Sequence, residues 1–329
     1  MRISSFNWRP NNDNWVAQFV PALVYIIIKQ TKMMKIKFLP LWAISLIVTA
    51  FLLTSCKKEL EDTTPHSLKA SPRARVKATI SPANSVIYVV QKGSLYAVNA
   101  KNFQDFTYLG GGYQGTAQIM AEDGFSIYTI QYGKLWVINQ STGKYKQFGN
   151  GNWTGSVGVT GVAGFVPDQG NMFAQAGDYL WRIDLNGVHH QLGGGGWSGT
   201  KALLYHRGDL FVIWKNGYLY RVNPTTGAYQ ELTGGWGDVK GIAEASSTGD
   251  TIYIMKGSEL WKVDAYTGQS KFVAGGFRDT TAMTGVGGYL YIASNGGALH
   301  RVDLNGKRIE TNLHYSGVTA MVGVQGAFD

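Results

Sequence analysis

The sequence predicts an all-β protein: a six-bladed β-propeller of four-stranded repeats of about 40 residues, with the ring closed by the C-terminal strand. Three observations carry this. A leucine followed by a ring residue recurs at Leu95-Tyr96, Leu135-Trp136, Leu180-Trp181, Leu219-Tyr220, Leu260-Trp261 and Leu299-His300, at spacings of 40, 45, 39, 41 and 39 residues. A second aromatic, mostly preceded by glycine, recurs at Tyr113, Trp153, Trp197, Trp236, Phe277 and Tyr315, at spacings of 40, 44, 39, 41 and 38. Between these landmarks the chain is made of short apolar runs and Gly/Asn/Asp turns, without helical periodicity.

Each element of one unit can be read in order. Thr251–Met255 is a strand of β-branched and aromatic residues, and Leu260–Asp264 is the next. Tyr266-Thr267-Gly268 turns the chain into a further strand near Lys271–Val273. Gly275-Gly276-Phe277 then makes a corner into Thr281–Gly285, the inner strand of the following unit. Residues of both parities are apolar, as expected where both faces of a sheet are covered: Trp181 and Ile183 serve one face and Leu180 the other. The second strand is marked six times, at Tyr88, Tyr128, Phe173, Phe211, Tyr253 and Tyr291. The last inner strand, Val318–Val322, has no partners after it, so it is expected beside Ile87–Val90. The competing arrangement uses Val76–Ile80 as the first inner strand and leaves the C-terminus outside the ring.

Composition supports this class. The chain has 329 residues, with 43 glycines, 13% aromatics and only 16% charged residues. Its net charge of +9 is unevenly placed: residues 1–55 hold six Lys/Arg and one Asp, whereas residues 80–329 hold 18 basic and 17 acidic residues. The repeats therefore lack the clustered cations of a nucleic-acid surface, and no nucleic-acid partner is expected. The single cysteine, Cys56, excludes an intramolecular disulfide.

The N-terminal part reads as targeting sequence. Residues 34–55 combine a basic start, Met34-Lys35-Ile36-Lys37, with an uncharged apolar run from Phe38 to Thr54, as in a secretory signal. That run is marginal for spanning a bilayer. Residues 1–33 fit poorly in front of it and are read as an over-extended start, with translation beginning at Met33 or Met34. Leu53-Thr54-Ser55-Cys56 resembles the bacterial lipobox, which implies lipidation of Cys56 and a membrane partner through the lipid anchor. Lys57-Lys58-Glu59-Leu60-Glu61-Asp62 is similar to export signals on surface lipoproteins of the Bacteroidetes, implying an outer-membrane, surface-exposed location. Residues 56–79 form a flexible tether, and residues 80–329 the propeller.

The residues ending the third strand, Asn99, Asn139, Asp184, Asn223, Asp264 and Asp303, mix amides with carboxylates and lack calcium-loop spacing, so they are expected to cap hairpins. No histidine recurs in register, no Cys/His cluster has metal spacing, and there is no nucleophile elbow or phosphate loop; no metal, cofactor or catalytic residue is assigned. Departures from the repeat, such as Asp168 and His189-His190, are scattered. The glycine–aromatic corner is the remaining candidate. Its ring, flanked by small polar residues, either stacks on the C–H face of a sugar or staples one blade to the next.

The array resembles the tachylectin and tectonin type of β-propeller lectin, on the Gly-Gly-Trp corners together with Leu-Trp-Arg-Ile at 180–183, Leu-Tyr-Arg-Val at 219–222 and Leu-His-Arg-Val at 299–302. That resemblance implies non-catalytic, multivalent binding of glycans or polysaccharide, with Tyr113, Trp153, Trp197, Trp236, Phe277 and Tyr315 as stacking residues. Asn150-Gly151-Asn152 before Trp153 and Leu313-His314 before Tyr315 depart from the corner pattern. The alternative function is a scaffold for a protein partner in an envelope complex; a propeller hydrolase or lyase is the third reading.

Overall fold

The structure is a computed structural model that describes residues 85–116, 118–122, 126–156, 158–161, 171–245 and 249–325. The leader, Cys56, the tether, Val76–Ile80 and Asp168 lie outside the described residues. Among the described residues every regular element is a β-strand. Blade 1 contains β1 (Val86–Gln91), β2 (Ser94–Asn99) and β3 (Phe106–Gly111). Blade 2 is β4 (Ile119–Glu122), β5 (Ser126–Gln131), β6 (Lys134–Asn139) and β7 (Tyr145–Gln147). Blade 3 is β8 (Gly158–Gly161), β9 (Met172–Ala176), β10 (Tyr179–Ile183) and β11 (His189–Leu192). Blade 4 is β12 (Ala202–His206), β13 (Asp209–Ile213), β14 (Leu219–Val222) and β15 (Tyr229–Thr233). Blade 5 is β16 (Val239–Ala243), β17 (Thr251–Lys256), β18 (Glu259–Asp264) and β19 (Ser270–Ala274). Blade 6 is β20 (Thr280–Val286), β21 (Tyr289–Ser294), β22 (Leu299–Asp303) and β23 (Arg308–Asn312), and β24 (Val318–Val324) ends the described chain.

Each sheet is an antiparallel meander of four strands, and β24 supplies the inner strand of blade 1 in the order β24-β1-β2-β3. The pairing of Ile87 with Gly323 and of Val90 with Ala320 places the C-terminal strand where the sequence puts it. The inner strands β4, β8, β12, β16, β20 and β24 neighbour one another in a closed cycle, which makes the ring. With the first and last described strands sharing one sheet, opening the ring requires breaking a full strand ladder.

The core is divided among six clusters, one at each junction between blades. Leu180 packs with blade 4, whereas Ile183 and Trp181 pack with blade 2, so a single strand feeds two clusters. This is why the second strands are buried almost throughout, as in β1 and β9.

Two turn devices repeat. Between the second and third strands, Lys92-Gly93 and Tyr132-Gly133 take positive φ at both positions (49° and 75°; 50° and 72°), matching the right-handed twist of the strands they join. Between the third and fourth strands, Asn99, Asn139, Asp184, Asn223, Asp264 and Asp303 each accept backbone N–H groups of their own turn on Oδ1. These are hairpin caps, as the sequence predicts. The same N–H groups hold the Asp184 and Asp264 carboxyls below their ordinary range.

The hairpin glycine that follows the cap also closes the junction. Gly143, Gly187, Gly227, Gly268 and Gly306 lie against the end of the outer strand of the preceding blade. A Cβ on Gly143 would sit 2.0 Å from the Leu109 carbonyl oxygen, and one on Gly227 2.5 Å from the Gly193 nitrogen. Blade 1 departs from this rule: its turn, Ala100-Lys101-Asn102-Phe103-Gln104-Asp105, contains no glycine.

Candidate functional site

The corner is built from one backbone hydrogen bond used six times. The N–H of Tyr113, Trp153, Trp197, Trp236, Phe277 and Tyr315 donates to the carbonyl of Gly93, Gly133, Asp178, Gly217, Ser258 and Gly297 respectively, at 2.8–3.1 Å. Each acceptor lies in the turn between the second and third strands of the same blade. The corner and this turn therefore share one end of the ring, the corner end.

From that anchor each side chain enters the cluster between its own blade and the next. All six are 2–6% exposed. The Tyr113 hydroxyl donates to the Gly143 carbonyl at 3.2 Å and the Tyr315 hydroxyl to the Phe103 carbonyl at 2.9 Å, both in the following blade. Burial pushes both phenols well above their ordinary range. The indole N–H groups of Trp153 and Trp236 are buried without a hydrogen-bond partner. Edge-to-face contacts continue the packing: Trp153 meets Trp181 at 6.2 Å, and Trp197 meets Tyr220 at 5.7 Å. Of the two roles open to these rings, the geometry provides for the staple. Sugar stacking needs an exposed ring face, and each of these six residues is almost wholly buried.

Other residues occupy the surface at the corner end. Tyr132, Tyr179 and Tyr218 are 62%, 37% and 39% exposed, and each adjoins the carbonyl that anchors a corner, in consecutive blades 2, 3 and 4. Corner glycines lie against their rings. A Cβ on Gly234 would meet the Tyr218 ring at 2.9 Å, one on Gly195 the Tyr179 ring at 3.2 Å, and one on Gly115 the Tyr132 ring at 3.6 Å. Half-buried Trp214 joins them, donating from Nε1 to the Ser198 carbonyl at 2.8 Å, with the Lys215 ammonium 4.9 Å from its ring. The Asp178 carboxylate accepts the Ser198 N–H, and its pKa lies below the ordinary range mainly through the Ser198 and Gly196 backbone donors.

Blades 5, 6 and 1 present different chemistry at the same positions. The residues flanking the anchoring carbonyl there are Gly257 and Glu259, Gly296 and Ala298, and Lys92 and Ser94. Between blades 5 and 6 lies an open polar cleft of about 640 Å³ bordered by Asp238, Lys240, Ser258, Arg278, Asp279 and Asn295. The Lys240 ammonium pairs with Asp238 at 2.6 Å within it. The corner end is thus aromatic over one half and charged over the other. The three tyrosines fall outside the repeat pattern, and their signal in the sequence is that they do not recur in blades 5, 6 and 1.

The remaining departures are absorbed by packing. His189 lies 5.4 Å from both the Trp153 and Trp181 rings, and His300 bonds Thr311 at 2.8 Å. Burial, followed by the nearby Arg308, lowers the His300 pKa. Among the described residues, no three His, Cys, Asp or Glu side chains gather as metal ligands would.

No family model and no curated protein matches the chain. Solved structures match the fold. A chain from a nidogen/laminin complex superposes with a TM-score of 0.63 at 11% identity, covering 74% of this chain and 100% of that one. A protein of unknown function from Bacteroides caccae superposes with a TM-score of 0.53 at 11% identity, covering 74% of this chain and 99% of that one. At such identity the likeness concerns architecture alone. The conclusion it supports together with the sheet topology is that this chain is a six-bladed β-propeller.

Proposed function

We propose that the chain is a non-catalytic docking propeller, anchored through lipid on Cys56 and displayed on the outer membrane of a bacterium, that binds a protein partner through the corner end of blades 2–4. The observation that carries this reading is the row of exposed tyrosines Tyr132, Tyr179 and Tyr218, with Trp214 beside them. Tyrosine and tryptophan give large contact areas for little conformational entropy, and they are enriched at the energetic centres of protein interfaces. A matched structure is itself part of a protein–protein complex. The six-site lectin reading draws less support, because the rings assigned to it are buried.

The test is capture of a partner from intact envelopes by cross-linking to the full chain, with the Tyr132→Ala/Tyr179→Ala/Tyr218→Ala variant alongside. The reading predicts one stoichiometric protein, lost from the triple variant and retained by Lys92→Ala on the opposite half of the ring. Retention of the partner by the triple variant would remove this surface from the account. Displacement by a soluble glycan would restore the lectin reading.

A further inference from the structure

The corner end of blades 2–4 carries positive charge with no free acid to match it. Lys134 stands two residues after Tyr132, Lys215 three before Tyr218, and Lys201 four after Trp197, and all three are exposed. Local packing sets them among the rings of the docking row. A Cβ on Gly199 would meet the Lys215 side chain at 2.8 Å, so its stem lies along the blade 3 corner while its ammonium stands 4.9 Å from the Trp214 ring. Lys201 starts from the same corner and donates from Nζ to the Gly237 carbonyl, at the corner of blade 4. Lys134 shares the turn of Tyr132, whose Gly133 lies against Thr154 of the blade 2 corner.

Among the described residues, no carboxylate forms an ion pair with any of these three ammonium groups. The two acids nearby are engaged. Asp178 accepts the Ser198 N–H of its own corner at 3.2 Å, and Asp238, in the corner after blade 4, pairs with Lys240 at 2.6 Å. Elsewhere cations find acids: at the opposite end of the ring Arg207 pairs with Asp250, and Arg221 with Asp209 at 3.1 Å. Residues 80–329 as a whole are close to neutral, with 18 basic and 17 acidic residues. Three unmatched ammonium groups set among exposed rings are therefore a local feature, and an acidic surface laid over them would relieve their mutual repulsion.

We propose that the docked partner presents an acidic protein segment, whose Asp and Glu side chains meet Lys134, Lys201 and Lys215 while its apolar or aromatic residues lie on Tyr132, Tyr179 and Tyr218. This rests on the docking reading above and adds the chemistry of the partner. Complementary charge of this kind speeds the encounter and rejects basic competitors, and the rings hold what has docked. A phosphate backbone continuing around the corner end would run onto the exposed acids Asp238, Glu259 and Asp279. That favours a short acidic segment of protein over a nucleic acid.

The experiment is fluorescence anisotropy on the full chain in detergent with labelled random copolymers of Glu and Tyr and of Lys and Tyr, and with oligothymidine. The Glu/Tyr copolymer is expected to bind at low salt, and about tenfold more weakly as ionic strength rises from about 0.05 M to about 0.3 M. Lys134→Glu/Lys201→Glu/Lys215→Glu should abolish this binding, and Lys134→Gln/Lys215→Gln should weaken it severalfold, which keeps the test open where the triple reversal impairs folding. Lys101→Glu/Lys144→Glu/Lys307→Glu makes the same change of net charge on exposed hairpin residues at the other end of the ring and should leave binding within about twofold. No binding of the Glu/Tyr copolymer at low salt, an equal loss in the hairpin variant, or equal binding of the Lys/Tyr copolymer or of oligothymidine would each overturn the proposal. A partner captured from envelopes that is lost from the triple tyrosine variant but fully retained by the triple lysine variant would overturn it too, while leaving the docking reading in place.

Discussion

Five junctions of the ring and the seam between blades 6 and 1 solve the same packing problem differently. At the five, an Asx-capped hairpin brings a glycine against the backbone of the preceding blade, and a buried corner aromatic fills the space beneath. At the seam the corner aromatic is still buried, but the hairpin glycine is missing and a cavity takes its place. Beside the seam, the last described strand, β24, pairs with β1 inside the blade 1 sheet. The comparison teaches that repetition in this molecule marks construction, and that breaks in repetition mark where packing and surface chemistry change.

The largest way to break the comparison is to remove the closing strand. Truncation after Tyr315 deletes β24, exposes the edge of β1 and removes Val318 and Met321 from the seam cluster. Loss of cooperative unfolding by calorimetry is expected, and an unchanged melting temperature would show that the ring closes otherwise. Next comes a closed junction: Gly227→Ala places a side chain at φ 72° and 2.5 Å from the Gly193 nitrogen. The left-handed conformation and the overlap together predict a loss of about 2–4 kcal/mol by denaturant titration. At the seam turn, Lys101→Ala changes an exposed side chain and should stay within about 0.5 kcal/mol. Similar losses for the two would erase the distinction.

Smaller effects sharpen it. Asn223→Ala removes the acceptor of the Thr225 and Thr226 N–H groups and should cost about 1 kcal/mol. The phenols of Tyr88 and Tyr291 reach the following blade, at Gln140 Oε1 and the Ala100 carbonyl, and burial pushes their pKa values up to about 12. A folded-state value raised above the unfolded value of about 10 means that their contribution is complete below pH 10 and lost as pH rises toward 12. Stability followed by circular dichroism should therefore fall across that window, and less steeply in Tyr88→Phe and Tyr291→Phe.

Much of this architecture was legible in the residues. The Leu-Trp pairs and the corners set the period, the Asx residues marked the hairpins, and an inner strand without followers, Val318–Val322, announced the closure. All these signals arise from local rules of turn and burial that each repeat must obey. The corner residues were also located, but their role was not: Trp153 has the same neighbours in sequence whether its ring faces solvent or blade 3. Burial is a property of the neighbouring blade, which lies about 40 residues away in the chain. Tyr132, Tyr179 and Tyr218 were hidden for the converse reason, since nothing in a single repeat distinguishes an exposed tyrosine from a strand aromatic. The seam cavity needed the absence of a glycine after Asn99 to be weighed, and that absence gains meaning only once the other five hairpins are seen to pack.

The most direct measurement is equilibrium urea unfolding of Trp236→Ala beside the Tyr132→Ala/Tyr179→Ala/Tyr218→Ala variant. If the corner rings hold the blades together, Trp236→Ala loses about 3–5 kcal/mol while the triple variant keeps nearly the wild-type midpoint. A wild-type midpoint for Trp236→Ala would contradict the account and return the corner ring to the surface.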